Sequence, residues 1–120
     1  FTDSYLVYLM NRQGKTNEKL LSPKKIYAPD LGIRCAFTGF RDMGSLFENY
    51  VYLQIRHLKP EYIYKDATEI DFFTQNKQLI EVKYHNEDLS KKQQLLFDTI
   101  KADKKIIIRN YEKINEVTAY

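Results

Sequence analysis

The sequence predicts an α/β domain in which a mixed sheet is flanked by helices. From residue 44 onwards the elements read as one helix, three strands, a second helix and a final strand, α-β-β-β-α-β. A helix between the last two strands can carry the chain across the sheet in a right-handed crossover, so those strands are expected to be parallel. The chain has 120 residues, 43% of them apolar, which is enough for the core of one ordinary domain.

The first predicted helix spans residues 45–58. Ser45 and Glu48 have the spacing of a capping box, in which each side chain satisfies a free amide of the first helical turn. Apolar residues then recur at helical spacing, and Pro60 favours a helix end just before it. A structural role as the capping acid is therefore one interpretation of Glu48.

Three strands and a second helix complete the predicted core. The strands are residues 62–65, 69–74 and 78–84, and residues 75–77 are a plausible tight hairpin loop. The second helix is residues 89–102, where Ser90 and Gln93 form another capping-box pair. The β-branched run at residues 106–108 is typical of a buried central strand, and a short closing helix is expected after Asn110.

The N-terminal part of the chain is less regular. Residues 4–10 read as a strand or a short helix, residues 11–17 as a loop, and residues 24–28 as a second extended piece that could pair with the first. Residues 31–37 are expected to form a short helical turn. The sequence does not begin with Met, which suggests the C-terminal part of a longer protein.

Composition excludes several functional classes. No apolar run is long enough to cross a bilayer and no signal peptide is visible, so no membrane partner is expected. Cys35 is the only cysteine, which fits a reducing, cytoplasmic setting. With His57 and His85 far apart, the usual zinc sites are excluded. A phosphate-binding loop at residues 14–16 is excluded too, because Leu9 stands where its first glycine belongs.

The charge pattern permits nucleic-acid binding. The formal net charge is +3, and lysine pairs occur at residues 24–25, 91–92 and 104–105. Such pairs can contact backbone phosphates, since those contacts need only charge. A solvated lysine at the end of a helix or strand is the alternative for each pair.

The acidic residues of the second and third strands carry the main functional hypothesis. Alternation along the second strand places Glu69 and Asp71 on one face together with Phe73. A three-residue loop pairs Asp71 with Glu81 and Glu69 with Lys83. Two directly opposed carboxylates repel each other, and a divalent cation between them reverses that effect.

Lys83 completes this hypothesis. It lies two residues after Glu81 on the same face, where its ammonium can orient a water or neutralise a phosphate. A metal ion that polarises a phosphate and activates a water is what phosphodiester hydrolysis requires. A Glu-x-Lys pair on a strand is also common on solvated surfaces, so the hypothesis depends on the residues taken together and in this order.

These segments resemble a known family, the PD-(D/E)xK nuclease superfamily, which has a restriction-endonuclease-like core. The similar segments are residues 44–51, 69–72 and 79–84, within a resemblance that covers residues 42–109. The resemblance implies that Asp71, Glu81 and the carbonyl of Val82 bind Mg²⁺ or Mn²⁺. It implies that Lys83 is the catalytic lysine and that Glu48 assists the metal site. Gln93 or Gln94 could match a glutamine on the following helix of some members.

A closer resemblance is to the C-terminal domains of prokaryotic AAA-type ATPases, which combine a winged-helix segment with this nuclease-like fold. Residues 25–32 are similar to the stretch before the nuclease core there. The resemblance implies that residues 1–38 include the end of a winged-helix region and that residues 39–120 are the nuclease-like domain. It also implies DNA and an ATPase domain of the same chain as partners. Ile70 departs from the pattern, because it stands where the superfamily's name has Pro.

Two functions remain open at this point. The first is a metal-dependent nuclease acting on DNA. The second is a catalytically inactive nuclease-like module that binds nucleic acid or protein. The acidic pair with Lys83 favours the nuclease, whereas the small net charge favours the binding module.

Overall fold

A four-stranded mixed sheet forms the centre of the protein. The computed structural model describes residues 7–32, 43–85 and 87–118. Its strands are β3 (Glu61–Lys65), β4 (Thr68–Phe73), β5 (Gln78–Val82) and β6 (Lys104–Ile108). They lie in the order β3-β4-β5-β6, and neighbours are antiparallel except β5 and β6, which are parallel. The helices are α2 (Met43–Ile55) before β3, α3 (Lys91–Thr99) between β5 and β6, and α4 (Ile114–Thr118). The α/β class and the order α-β-β-β-α-β are confirmed.

The N-terminal part forms a small second sheet. Strands β1 (Tyr8–Met10) and β2 (Lys25–Tyr27) pair antiparallel, as expected for the two extended pieces. A short helix, α1 (Thr16–Leu21), lies between them, so the predicted loop ends earlier than expected. Tyr62 of β3 exchanges main-chain hydrogen bonds with residues 11 and 13, which attaches this part to the edge of the main sheet.

The capping box predicted at the start of the first helix is wrong. Met43 and Gly44 are already helical, so Ser45 lies inside the helix and is not its N-cap. The Glu48 carboxylate does not reach back along α2, because it binds groups of β2 instead. At the other end, α2 continues into a 3₁₀ turn at Arg56–Leu58, just before Pro60 as predicted.

The second predicted capping box is confirmed. The Gln93 main-chain N–H donates to Ser90 Oγ at 3.2 Å, and the Ser90 N–H donates to Gln93 Oε1 at 3.1 Å. These two bonds satisfy amides that a helix start otherwise leaves free.

Replacing this cap should cost a measurable part of the stability. We expect Ser90→Ala to lower the free energy of unfolding by about 1 kcal/mol, because one amide of the first turn loses its acceptor. Ser90→Asn is the matched control, since Asn caps helices as well as Ser does. Urea denaturation of both variants checks this, and equal midpoints for Ala and Asn would contradict it.

Apolar side chains fill both faces of the main sheet. On one face, α2, α4 and the N-terminal hairpin cover the sheet in a core formed by Met10, Tyr27, Phe47, Val51, Tyr52, Ile55, Tyr62, Phe72, Ile80, Val82, Ile106, Ile108, Ile114 and Val117. On the other face, α3 covers a smaller core around Ile70, Leu79 and Phe97. The sheet is therefore buried on both sides, and we call these the α2 face and the α3 face.

A β-bulge in β4 changes the predicted alternation. Ile63 pairs with Ile70 and Glu61 with Phe73, so one residue of β3 opposes both Asp71 and Phe72. An extra residue of this kind shifts the side chains that follow it to the other face. Phe72 consequently packs on the α2 face, whereas Ile70 and Phe73 pack on the α3 face. The prediction that Ile70 and Phe72 share a face is therefore wrong. The bulge places Asp71 where the strand is locally distorted.

Some predictions fall outside the described residues. Cys35, most of the helical turn at residues 31–37 and the boundary between residues 38 and 39 belong to this group. His57 lies in the 3₁₀ turn and His85 follows β5, and both are exposed. In the part of the chain that the structure describes, no helix is long and apolar enough to span a membrane.

Candidate metal centre between strands β4 and β5

Asp71 and Glu81 meet across the gap between β4 and β5. Phe72 pairs with Ile80 and Phe73 with Leu79, and continuing this register places Asp71 opposite Glu81, as predicted. Side chains replace the main-chain ladder at that point. The Asp71 N–H donates to Glu81 Oε1 at 3.0 Å, and the Val82 N–H donates to Asp71 Oδ2 at 2.9 Å. Each carboxylate is thus fixed through one oxygen, which leaves its second oxygen for other partners.

The second oxygens face different neighbours. Asp71 Oδ1 lies 3.7 Å from the Lys25 ammonium of β2. Glu81 Oε2 accepts a hydrogen bond from Gln93 Nε2 of α3 at 3.2 Å and lies 3.5 Å from Lys83 Nζ. The predicted pair is therefore brought together, with the second oxygen of Asp71 near Lys25 and the second oxygen of Glu81 near Gln93 and Lys83.

Lys83 and Val82 lie beside this pair. The Lys83 N–H donates to the Ile108 carbonyl at 3.0 Å, which fixes the main chain of this segment against β6. Its side chain is mostly buried and directed at Glu81. The Val82 N–H is committed to Asp71, and the Val82 side chain lies in the core of the α2 face.

Glu48 joins the site from helix α2. Its Oε2 accepts hydrogen bonds from Tyr27 Oη at 2.6 Å and from Lys25 Nζ at 2.9 Å. Asn49 bonds both main-chain groups of Ala28 at 2.9 Å, which fixes the end of β2 against α2. The Tyr27 ring is 4% exposed and stacks on Tyr52 with 4.1 Å between ring centroids. These contacts hold Glu48 on the α2 face, where the Lys25 ammonium links it to Asp71.

Lys25 is the residue that sequence reasoning missed. Its ammonium lies among three carboxylates, with Nζ 2.9 Å from Glu48, 2.8 Å from Glu69 and 3.7 Å from Asp71. The sequence offered it only as half of a lysine pair near possible phosphates. Its acidic partners lie 23 to 46 residues further along the chain, so no local pattern could have indicated this role.

Of the two glutamines at the start of α3, Gln93 contacts the acidic pair and Gln94 does not. The Gln93 amide Nε2 reaches Glu81 Oε2 at 3.2 Å and the Glu69 carbonyl at 3.4 Å, while its Oε1 belongs to the capping box. Gln94 instead donates to Asp98 on the same helix. One side chain thus links the start of α3 to the acidic pair.

Burial and mutual repulsion make the acidic pair hard to ionise. The pKa of Asp71 is raised well above its usual value by burial and by the charges of Glu48 and Glu81, and Lys25 offsets only part of this. Burial also raises the pKa of Glu81, against the hydrogen bonds from Asp71 and the charge of Lys83. Burial lowers the pKa of Lys25, but the charges of Glu48, Asp71 and Glu69 outweigh burial and raise this pKa. Negative charge is therefore in excess around Asp71, which is the condition that favours an added cation.

The donors present suit a hard divalent cation. Carboxylate and carbonyl oxygens are the ligands that Mg²⁺ and Mn²⁺ prefer, and Mg²⁺ needs only one or two carboxylates because it keeps several waters. Among the residues that the structure describes, no group of three or more Asp, Glu, His or Cys residues is spaced to hold a metal ion. Asp71 and Glu81 could supply the one or two carboxylates of such a site, with water in the other positions.

The other lysine pairs are engaged or solvated. Lys104 Nζ donates to the Glu116 carbonyl at 2.7 Å and Lys105 Nζ to the Asp98 carbonyl at 3.0 Å. Lys91 and Lys92 are exposed on α3. Contacts of these lysines with DNA phosphates stay a prediction.

Comparison with known proteins adds one relative. The chain is 28% identical to an uncharacterised protein of Methanocaldococcus jannaschii, over an alignment of 134 positions that covers 98% of this chain. The chain spans 30% of the length of that relative. No protein-family model and no solved structure matches the chain.

Proposed function

We propose that this chain carries a divalent-metal-dependent phosphodiesterase site that acts on DNA, in the manner of a nuclease. The observation that carries the proposal is the meeting of Asp71 and Glu81 across the β4–β5 gap, with Lys83 directed at Glu81. Opposed buried carboxylates raise the free energy of a purely structural sheet, because like charges repel across strands. Binding of Mg²⁺ or Mn²⁺ between the two carboxylates would offset this repulsion.

Each residue has a defined part in this proposal. Asp71, Glu81 and the Val82 carbonyl would hold the cation, which would supply Lewis-acid chemistry towards a phosphate and a water. The Lys83 ammonium orients that water and stabilises the negative charge that develops on the phosphate. Glu48, fixed by Tyr27, supports the metal site from α2.

Metal binding is the first expected consequence. Mn²⁺ or Mg²⁺ should raise the melting temperature, because a ligand that binds only the folded state stabilises it by about 2.7 kcal/mol at 100 times its Kd. Each kcal/mol corresponds to about 2–8 °C for a domain of this size class. Thermal denaturation with increasing metal checks this.

The matched control for the titration is Glu61→Gln. Glu61 lies in the same sheet but pairs with Lys19 at 2.6 Å, away from the acidic pair. This variant should keep the metal-induced rise. A wild-type transition that does not move at millimolar metal contradicts the proposed site.

The wider setting is part of the same proposal. The core would be restriction-endonuclease-like, with residues 39–120 as the nuclease-like domain and residues 1–38 including the end of a winged-helix region. The chain would belong to a longer cytoplasmic protein with an ATPase domain. The relative supports a longer protein, because this chain spans only 30% of it.

One observation favours the second candidate, an inactive module that binds nucleic acid or protein. The Lys25 ammonium already neutralises carboxylates of the cluster, so the folded chain does not depend on a metal for that purpose. DNA binding measured in the presence of a chelator separates the two candidates. Chelator-independent binding without metal-dependent cleavage supports the module.

A further inference from the structure

We infer that the Lys25 ammonium competes with the divalent cation, so that metal binds only as Lys25 withdraws from the acidic cluster. This inference rests on the proposed metal site. Lys25 would then control the metal affinity without being a metal ligand.

The first argument is the overlap of the two positions. Lys25 Nζ lies 3.7 Å from Asp71 Oδ1, the oxygen of Asp71 that no main-chain N–H fixes. A metal bound to this oxygen at about 2.1 Å lies no more than about 6 Å from the ammonium. Like charges this close in a partly buried site repel each other. The cation and the Lys25 ammonium therefore compete for Asp71 Oδ1.

The second argument is that the acids keep their places without Lys25. Main-chain N–H groups fix Asp71 and Glu81, and Tyr27 Oη fixes Glu48. Asn49 independently holds the end of β2 against α2. Withdrawal of the Lys25 side chain thus exposes a cation site that is already formed.

The third argument is that Lys25 is able to leave. It is the first residue of β2, and its side chain is 22% exposed. A lysine has a flexible four-carbon stem that can place its ammonium in water. Glu69, one of its three partners, is also partly exposed, so that contact is open to exchange with solvent.

The test is Mn²⁺ binding, measured by calorimetry and by the paramagnetic resonance of free Mn²⁺. Lys25→Met should bind Mn²⁺ at least about tenfold more tightly than the wild type. A positive charge at this distance from a ligand oxygen weakens the affinity for a cation by about that factor. Lys19→Met is the matched control, since Lys19 pairs with Glu61 outside the cluster. It should bind as the wild type does.

The outcomes separate this inference from the proposed function. Binding by both proteins that is tighter in Lys25→Met than in the wild type supports competition. Equal or weaker binding by Lys25→Met, with binding by the wild type, overturns the inference and leaves the metal site standing. Binding by neither protein overturns both.

A second measurement on the wild type does not depend on the folding of a variant. Amine acetylation followed by mass spectrometry reports how accessible each lysine is. Adding Mn²⁺ should increase the labelling of Lys25 and leave that of Lys19 unchanged. Labelling of Lys25 that does not rise while Mn²⁺ is bound overturns the inference.

Discussion

Lys83→Ala should lower metal-dependent DNA cleavage by about 10² to 10³ in rate, while metal binding is not weakened. The physical reason is the position of the Lys83 ammonium, 3.5 Å from Glu81 in a mostly buried setting. A charge held in place before the reaction stabilises a transition state without reorganisation, and effects of this size are usual for such groups. The measurement is cleavage of single-stranded, double-stranded and branched DNA with Mn²⁺.

Two variants make this test specific. Glu81→Ala should lose both metal binding and cleavage, whereas Lys19→Ala should keep both, because Lys19 pairs with Glu61 elsewhere. Equal residual cleavage by the wild type, Lys83→Ala and Glu81→Ala would indicate a contaminating nuclease. A wild type that does not cut any of these DNAs, as this chain or in a longer protein, favours the binding module.

Asp71→Asn should stabilise the metal-free protein at neutral pH and abolish the stabilisation by metal. In the folded protein the pKa of Asp71 is raised, so the folded state favours the protonated carboxyl. Its stabilising contribution is complete below the ordinary pKa of Asp, about 3.9, and is lost as the pH rises through the raised value. Asparagine stays neutral, and its side-chain oxygen can still accept the hydrogen bond from the Val82 N–H. The variant therefore avoids the loss of stability that ionisation of Asp71 causes.

The stability of the metal-free protein and its stabilisation by metal should change with pH in opposite directions. The free energy of unfolding of the metal-free wild type should fall from the acid range towards neutrality, by about 1.4 kcal/mol for each unit of raised pKa. The fall should be smaller in Asp71→Asn. Stabilisation by Mn²⁺ should instead grow with pH, because the metal needs the deprotonated carboxylate. Urea denaturation at several pH values checks both slopes, and identical slopes for the two proteins would contradict the raised pKa.

Local patterns were enough to predict the order of elements and the meeting of Asp71 with Glu81. The order of elements follows from hydrophobic periodicity, and the second capping box follows from the spacing of Ser90 and Gln93. The three-residue loop also fixed the register that brings Asp71 opposite Glu81. These features depend on residues within about ten positions of one another, where the chain geometry allows few alternatives.

The remaining features depend on contacts between distant segments. The bulge in β4 arises where β3 passes Asp71, and nothing in the local alternation of apolar residues marks it. Glu48 had a local explanation as a capping acid, but its partners Tyr27 and Lys25 come from a strand more than 20 residues earlier. A sequence pattern records which residues can ionise, whereas only the fold decides which of them share a buried space.

The bulge also determines how much of this protein an engineer would have to transfer to move the site into another scaffold. Its geometry needs β3 as well as β4, because the strand mismatch that re-aims Asp71 exists only between the two. The smallest continuous graft with both acids is therefore Glu61 to Lys83, a three-stranded meander rather than the acidic motif alone. The host protein would still have to supply equivalents of Glu48 and Gln93 from its own helices. It could leave out Lys25.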